Sequence, residues 1–317
     1  MNVLQKTDNW EHLRFRSHGS TVNVIKSKLD NTRISIDKRK PKRNPRTGPP
    51  QIETLQSTYN RTKANVIING GLYAMNTGRA TGVLRSDEQN YGDLGFYYAG
   101  YVMSILEGNK LDIEKLNSFY DLDKYGSGEA IECTPTLLIN NKISINSKGL
   151  DRWFITSRNP RSAFGFDNEH AYTITVDGRR SDEAGVTINE LVNIVKALGC
   201  TNAFNLDGGF STRMMLNGAV VNRPMQNRAV NNTICMYFEG ENEEITHTPV
   251  LVGLLRRGSR GENVRILQER LNALGHGAGT ADGIFGPMTD RAVRSFQRSK
   301  GLLVDGIVGP MTWPKLF

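Results

Sequence analysis

In the stretch AFNLDGGFSTRMMLNG, Ala203 to Gly218, Asn205 and Asp207 stand beside Gly208 and Gly209 and are followed by Ser211, Thr212 and Arg213. A buried strand has no use for that mixture. Ala203 to Leu206 reads as a short semi-apolar strand that delivers the Asp207 carboxylate onto a glycine turn. Glycines there let backbone N–H groups come close to a charged ligand. Three other places concentrate similar residues: Asn69-Gly70-Gly71 ending the apolar run ANVIING, Arg161-Ser162 with Gly165 in NPRSAFGFD, and Asp177, Arg179 and Gly185 in VDGRRSDEAGVT. Taken singly, these have ordinary readings, since Asn-Gly and Asp-Gly are common turn pairs and a lone arginine is usually a surface residue. Asp207 is the residue for which a role at a site is expected.

A phosphodiester substrate explains the mixture. Arginines match phosphate oxygens bidentately. Glycine turns and the hydroxyls of Ser211 and Thr212 add donors. A carboxylate is then needed for acid or base work, or to hold a sugar hydroxyl. Asp and Asn oxygens also suit calcium or magnesium. The 5 histidines form no cluster, which argues against catalytic zinc, and no obligatory metal or other cofactor is expected.

The elements that must hold these residues read as mixed α/β. Residues 20–36 alternate loosely, as two short strands with a turn near Asp30-Asn31. ANVIING reads as a strand, and HAYTITVDGR alternates and stops at Asp177-Gly178. TINELVNIVKALGC reads as a helix. Thr187 caps it, Glu190 completes a capping box, Leu191, Ile194, Val195 and Leu198 form the apolar stripe, and Gly199 stops it. The pattern is not clean enough for a doubly wound sheet, and the absence of GxGxxG and GxxxxGK[ST] weakens a nucleotide-binding reading. Six of the nine residues Lys38–Arg46 are basic and prolines interrupt the run. It reads as a solvated loop or as an arm contacting phosphates.

The 317 residues are enough for one large domain and a small one. The first 250 residues carry a net charge of +3 and the last 67 a net charge of +5, which suits a polyanion such as nucleic acid, teichoic acid or an anionic wall. Three scattered cysteines, Cys133, Cys200 and Cys235, exclude a disulfide scaffold and read as buried free thiols. The first twenty residues hold no apolar signal-peptide core, and no stretch approaches a membrane span. A protein of this kind working outside a cell needs another release route, such as phage lysis.

The polar, acidic segment 239–249 reads as a linker, dividing a domain 1–248 from a domain 249–317. The tail contains an echo, Asp-Gly-Ile-x-Gly-Pro-Met-Thr at Asp282 and again at Asp305, each glycine-rich turn feeding a helix start. Helices are expected over Glu262 to Leu274 and Thr289 to Arg298, with a last turn at Trp313 and Leu316, making a small three-helix unit in which Thr289 or Thr312 is the cap. It has no nucleophile–base pair. Its sequence, from LRRGSRGENVRILQERLNALG through DGIVGPMTW, resembles the peptidoglycan-binding domain of bacterial and phage wall hydrolases. That resemblance implies anchoring to the wall through a groove near the repeated turns. Nucleic acid is not an expected partner, because nothing reads as a recognition helix or an aromatic platform.

In the large domain INGGLY, TPTLLINNK, PRSAFGFD, TVDGRRSDEAGVTINELVNIVKALG and AFNLDGGFSTRMMLNG resemble, over roughly 60–237, the phosphodiester glycosidase family, which includes the enzyme that uncovers mannose 6-phosphate. The resemblance implies hydrolysis of a sugar-1-phosphodiester to a free sugar and a phosphomonoester. It carries onto Asn69, Gly70, Gly71, Arg161, Asp177, Arg179, Glu190, Asn205, Asp207, Gly208, Gly209, Ser211 and Thr212, although Glu190 is better explained as a helix cap. Phe210 stands where the family's third glycine is usual, either lining a pocket or simply packed. On this reading Arg161 and Arg179 clamp the phosphate. Asp207 acts at the sugar, as nucleophile, as base for water, or by orienting the anomeric region. Asp177 is the second carboxylate, and Glu132 is a weaker candidate for a catalytic role.

A wall-binding tail on such a body points to a wall-directed hydrolase, extracellular or wall-associated, cutting a sugar–phosphate linkage such as those of teichoic acids, and a phage-encoded product fits that expectation. The expected partners are peptidoglycan and an anionic glycopolymer, with no membrane. A non-catalytic wall-binding or phage structural protein is the alternative. No motif for a muramidase or amidase is present.

Overall fold

In a computed structural model the structure describes residues 1–38, 52–91, 100–117, 121, 128–239, 254–309 and 311–316. The chain forms two compact units, Met1–Asn242 and Glu243–Phe317. Apart from Lys38, the basic run 38–46 lies outside the described residues, as does the expected linker apart from Glu239.

The first unit opens with an antiparallel run, β1 (Asn2–Lys6), β2 (Trp10–Ser17) and β3 (Ser20–Lys28). The expected turn is a 3-10 turn, Leu29–Asn31, and it passes the chain into a different sheet, where β4 (Thr32–Asp37) lies. Helix α1 (Leu55–Thr62), capped by the Thr54 side chain, leads into β5 (Val66–Asn69), which is wholly buried. Then come β6 (Leu84–Ser86), β7 (Gln89–Asn90), β8 (Tyr101–Leu106), β9 (Lys110–Lys115) and β10 (Glu129–Glu132). They are followed by β11 (Thr136–Ile139), β12 (Lys142–Ile143), the short α2 (Arg152–Thr156), β13 (Arg161–Phe166) and β14 (His170–Val176). Helix α3 (Ile188–Ala197), β15 (Asn202–Asn205), β16 (Met214–Leu216), β17 (Ala219–Val220) and β18 (Thr233–Phe238) complete the unit.

The pairings are antiparallel throughout the described strands, in three sheets ordered β1-β2-β3-β14-β13-β15-β11-β12, β7-β6-β10-β8-β9 and β17-β16-β5-β18-β4. β13 does not alternate because it is buried on both faces. The capping box of α3 is formed by Thr187 and Glu190, and its Leu191, Ile194 and Val195 share a core with Val24, Ala163 and Ile174 of the large sheet. All three cysteines are buried and free. Register then sets the functional segments. Arg161 lies opposite Val176, Ala163 opposite Asn205, and Asn69 opposite Thr233. Asp177, Asp207 and Gly70-Gly71 therefore each sit just beyond a strand end.

The second unit holds α4 (Glu262–Ala273) and α5 (Pro287–Ser299), with a 3-10 turn at Trp313–Lys315 in place of a third full helix. Val264, Leu267, Leu271, Val293, Phe296 and Trp313 form its core. Helix α5 begins two residues before the expected Thr289. Gly286 is its N-cap, and Pro287 fits the first turn because no N–H is needed there. Thr289 and Thr312 are not side-chain caps, because their hydroxyls are used by two buried glutamines. Gln268 Nε2 donates to Asp282, the Ile284 carbonyl and Thr289, while its Oε1 accepts from Gly283 N–H at 2.9 Å. Gln297 does the same for Asp305, Ile307, Thr312 and Gly306. The sequence echo is thus one bracket built twice. Gln268→Leu strips several buried groups of partners and lowers the stability of this unit by about 3 kcal/mol, to be read as an earlier thermal transition than in the wild-type chain.

Candidate active site

Hydrogen bonds tie strand ends of the eight-stranded sheet and of the five-stranded sheet that holds β5 together around Asp207. Its N–H donates to the Gly70 carbonyl at 2.9 Å, and its own carbonyl accepts from Asn69 Nδ2 at 2.6 Å. Asn69 Oδ1 accepts from the Ser162 hydroxyl and from Arg213 N–H. Asn232 fixes the next turn, with its carbonyl accepting from Gly70 N–H and its Oδ1 from Gly71 N–H. Gly70 must be glycine, since a Cβ would fall 1.9 Å from Asn232 Oδ1. Asn69 is therefore the bracket that holds the Asp207 loop and is fully buried.

Asp207 itself stays half-buried. One carboxylate oxygen accepts from Gly208 N–H at 2.9 Å. Burial pushes its pKa up to about 6, opposed by the Ser211 side chain, the Gly208 N–H and the positive charge of Arg228. Open solvent on one side moderates that push. The carboxyl is poised to exchange a proton near neutrality.

Arg179 faces it. The backbone there is left-handed (φ 57°) and the side chain is exposed. Asn159 Oδ1 accepts from Nε at 2.9 Å and Nη2 at 2.7 Å, and the guanidinium stands 5.2 Å from the Phe210 ring. Gly209, also left-handed (φ 61°), leaves room, since a Cβ would meet Arg179 Nη1 at 3.2 Å. Phe210 thus serves as a platform for the arginine. Arg161 differs from its expected role of clamping phosphate directly. It is 2% exposed, and its Nε and Nη2 donate to the carbonyls of Val186, Phe154 and Ser157. Burial, and then the charge of Arg179, lower its pKa to about 10. Among the described residues no carboxylate pairs with either arginine. Arg161 supports the wall and adds its charge from beneath. The result is a local positive field without a counter-ion, which suits an anion.

Asp177, Asn205, Thr212 and Glu132 lie behind this surface. Asp177 is 1% exposed; its Oδ1 accepts from Asn222 and from Arg223 N–H, and burial raises its pKa. Asn222 also donates to the Thr212 carbonyl, so Asp177 buttresses the loop after Ser211. Asn205 Nδ2 donates to the carbonyls of Thr134 and Leu206. The Glu132 carboxylate accepts from Val83 N–H at 2.9 Å. Ser211 and Thr212 are buried as well, and of the two it is the Ser211 side chain that acts on the Asp207 carboxyl. Among the described residues, no group of three or more His, Cys, Asp or Glu is arranged to hold a metal.

Sequence reasoning missed Asn159, Asn222, Asn232 and Arg228. A signal existed for Asn232, because two consecutive asparagines, Asn231-Asn232, stand directly before the apolar run TICMYF, and both are buried in the fold. Unpaired polar side chains at such a place must satisfy backbone groups.

The chain belongs to the phosphodiester glycosidase family, whose model matches residues 62–237, and a putative peptidoglycan binding domain model matches residues 260–316. It is similar to N-acetylglucosamine-1-phosphodiester alpha-N-acetylglucosaminidase of Homo sapiens, with 22% identity over 213 residues covering 58% of this chain and 40% of that one. The tail is similar to part of a zinc D-Ala-D-Ala carboxypeptidase of Streptomyces albus G, 51% identical over 67 residues, covering 20% of this chain and 26% of that one. The catalytic domain of the zebrafish N-acetylglucosaminidase shares the fold, with a TM-score of 0.60, 22% identity and coverage of 74% of this chain and 87% of that one. The chain spans about half or less of the length of the curated relatives it matches. No helix among the described residues is long and apolar enough to cross a membrane.

Proposed function

We propose that the protein hydrolyses a sugar-1-phosphodiester in a bacterial wall glycopolymer, a teichoic acid or its linkage unit, releasing a free sugar and a phosphomonoester. The observation that carries this reading is Asp207, held on its glycine turn beside an exposed Arg179 that has no carboxylate partner among the described residues. Arg179 binds the phosphate, with Arg161 adding charge from below. Ionised Asp207 serves the sugar, as nucleophile or as base for water. A phosphomonoester is a fair leaving group, so little general-acid help is needed. The C-terminal unit holds the protein on peptidoglycan. Such a protein acts outside the cell, and release by phage lysis fits it. No metal is required in this scheme, so chelation by EDTA leaves turnover intact.

Purified Gram-positive walls test the reading. Wild-type protein releases phosphomonoester and free sugar, with or without EDTA. Absence of release, both from walls and from an N-acetylglucosamine-1-phosphodiester, contradicts it and favours a wall-binding protein without activity.

The pH dependence follows from the raised Asp207 pKa of about 6. Both roles need the charged form, so kcat/KM falls about tenfold per unit as pH drops below 6. Stability moves the other way. The folded chain holds this proton more tightly than the unfolded one, so the Asp207 contribution rises as pH falls from about 6 towards 3.8, the ordinary value for an aspartate. Opposite trends in rate and in melting temperature across that window are the expected pair.

A further inference from the structure

The loop after Gly71 forms one wall of a cavity of about 690 Å³, lined by Tyr73, Met75, Thr77, Arg79, Arg228 and Ala229 among others. No acidic residue is among its described lining residues. The wall is built rather than loose. Tyr73 OH donates to the Ala229 carbonyl at 2.9 Å, Asn231 Nδ2 to the Gly78 carbonyl at 2.7 Å, and Ala74 N–H to the Arg79 carbonyl at 2.8 Å. Arg79 is exposed, and Arg228 has a contact from Nη2 to Met75 Sδ and no carboxylate partner among the described residues.

The cavity adjoins the catalytic surface. The loop leaves directly from Gly70-Gly71, and Gly70 holds the Asp207 N–H. Arg228 is also close enough for its charge to act on the Asp207 carboxyl. Two arginines with no salt-bridge partner among the described residues, in a roomy cavity beside the reacting centre, suit an anion larger than the scissile phosphate alone.

Resting on the hydrolytic reading above, we propose that this cavity is a second phosphate subsite, so that the preferred substrate is a chain with a further phosphodiester next to the one cleaved. Arg79 and Arg228 hold that neighbouring phosphate. The substrate class is then a poly(polyol phosphate) carrying the sugar, in preference to a small isolated diester.

Two synthetic N-acetylglucosamine-1-phosphodiesters decide it with the full chain, one with a glycerol aglycone and one extended by a single glycerol phosphate. The extended compound shows kcat/KM about tenfold higher, mostly through KM, and the advantage shrinks at high salt. Arg79→Gln removes most of that advantage and leaves the short compound within about twofold of wild type. Equal kcat/KM on the two compounds, or an equal loss on both in Arg79→Gln, overturns the subsite. If neither compound turns over, the hydrolytic reading fails instead. Calorimetric titration with a glycerol bisphosphate oligomer then still decides the subsite: Arg79→Gln weakening its Kd about tenfold supports it, and an unchanged Kd overturns it.

Discussion

Asp207→Asn is expected to reduce kcat by about 10³-fold or more while leaving the fold and wall binding intact. The side chain keeps its size, and its oxygen still accepts from Gly208 N–H, the contact made at 2.9 Å in the native chain. What disappears is the charge. Burial opposes that charge, as the raised pKa shows, so the neutral variant melts no earlier than wild type at neutral pH. The wall binding proposed for the protein belongs to the other unit, which has its own core, and is expected to persist. Lost turnover with unchanged pull-down on purified walls is the expected combination. Lost turnover accompanied by a lower melting temperature instead assigns Asp207 a structural role.

The second large effect lies at Arg179. Arg179→Ala is expected to lower kcat/KM on a sugar-1-phosphodiester by about 10²–10³-fold. The guanidinium is held ready by Asn159 and Phe210, so little ordering is needed when the phosphate binds. Arg179→Lys recovers only part of the loss, because an ammonium cannot reproduce the planar fork or the stacking. Stability changes little, since the side chain is exposed. Arg161→Ala behaves differently. It leaves carbonyls of Phe154, Ser157 and Val186 without their donor, so the fold is weakened along with the rate. Melting curves of the two alanine variants separate the arginine proposed to meet the phosphate from the one beneath it.

Much of this was legible in the sequence because it is local. The α3 capping box, the buried thiols, the doubled Asp-Gly turns and the Asp207 glycine turn all follow from residue types at short spacing. Family membership over 62–237 and the peptidoglycan-binding tail were legible for the same reason. What was not legible depends on long-range pairing. The alternation over 20–36 cannot show that β3 and β4 enter different sheets. Arg161 and Arg179 look alike as types, and only the register that turns Arg161 inward towards three carbonyls distinguishes them. Ser211 and Thr212 read as ligand donors from their hydroxyls, yet packing beneath the loop buries both. Asn159 lies two residues before Arg161 but acts on Arg179, a contact made only by the folded chain.

Hydrolysis of an N-acetylglucosamine-1-phosphodiester in oxygen-18 water tests the central claim most directly. Attack at the sugar, with Asp207 serving the anomeric carbon and Arg179 holding the phosphate, breaks the carbon–oxygen bond. The released phosphomonoester then contains no heavy oxygen. Heavy oxygen in the phosphomonoester means attack at phosphorus and contradicts a glycosidase at this site.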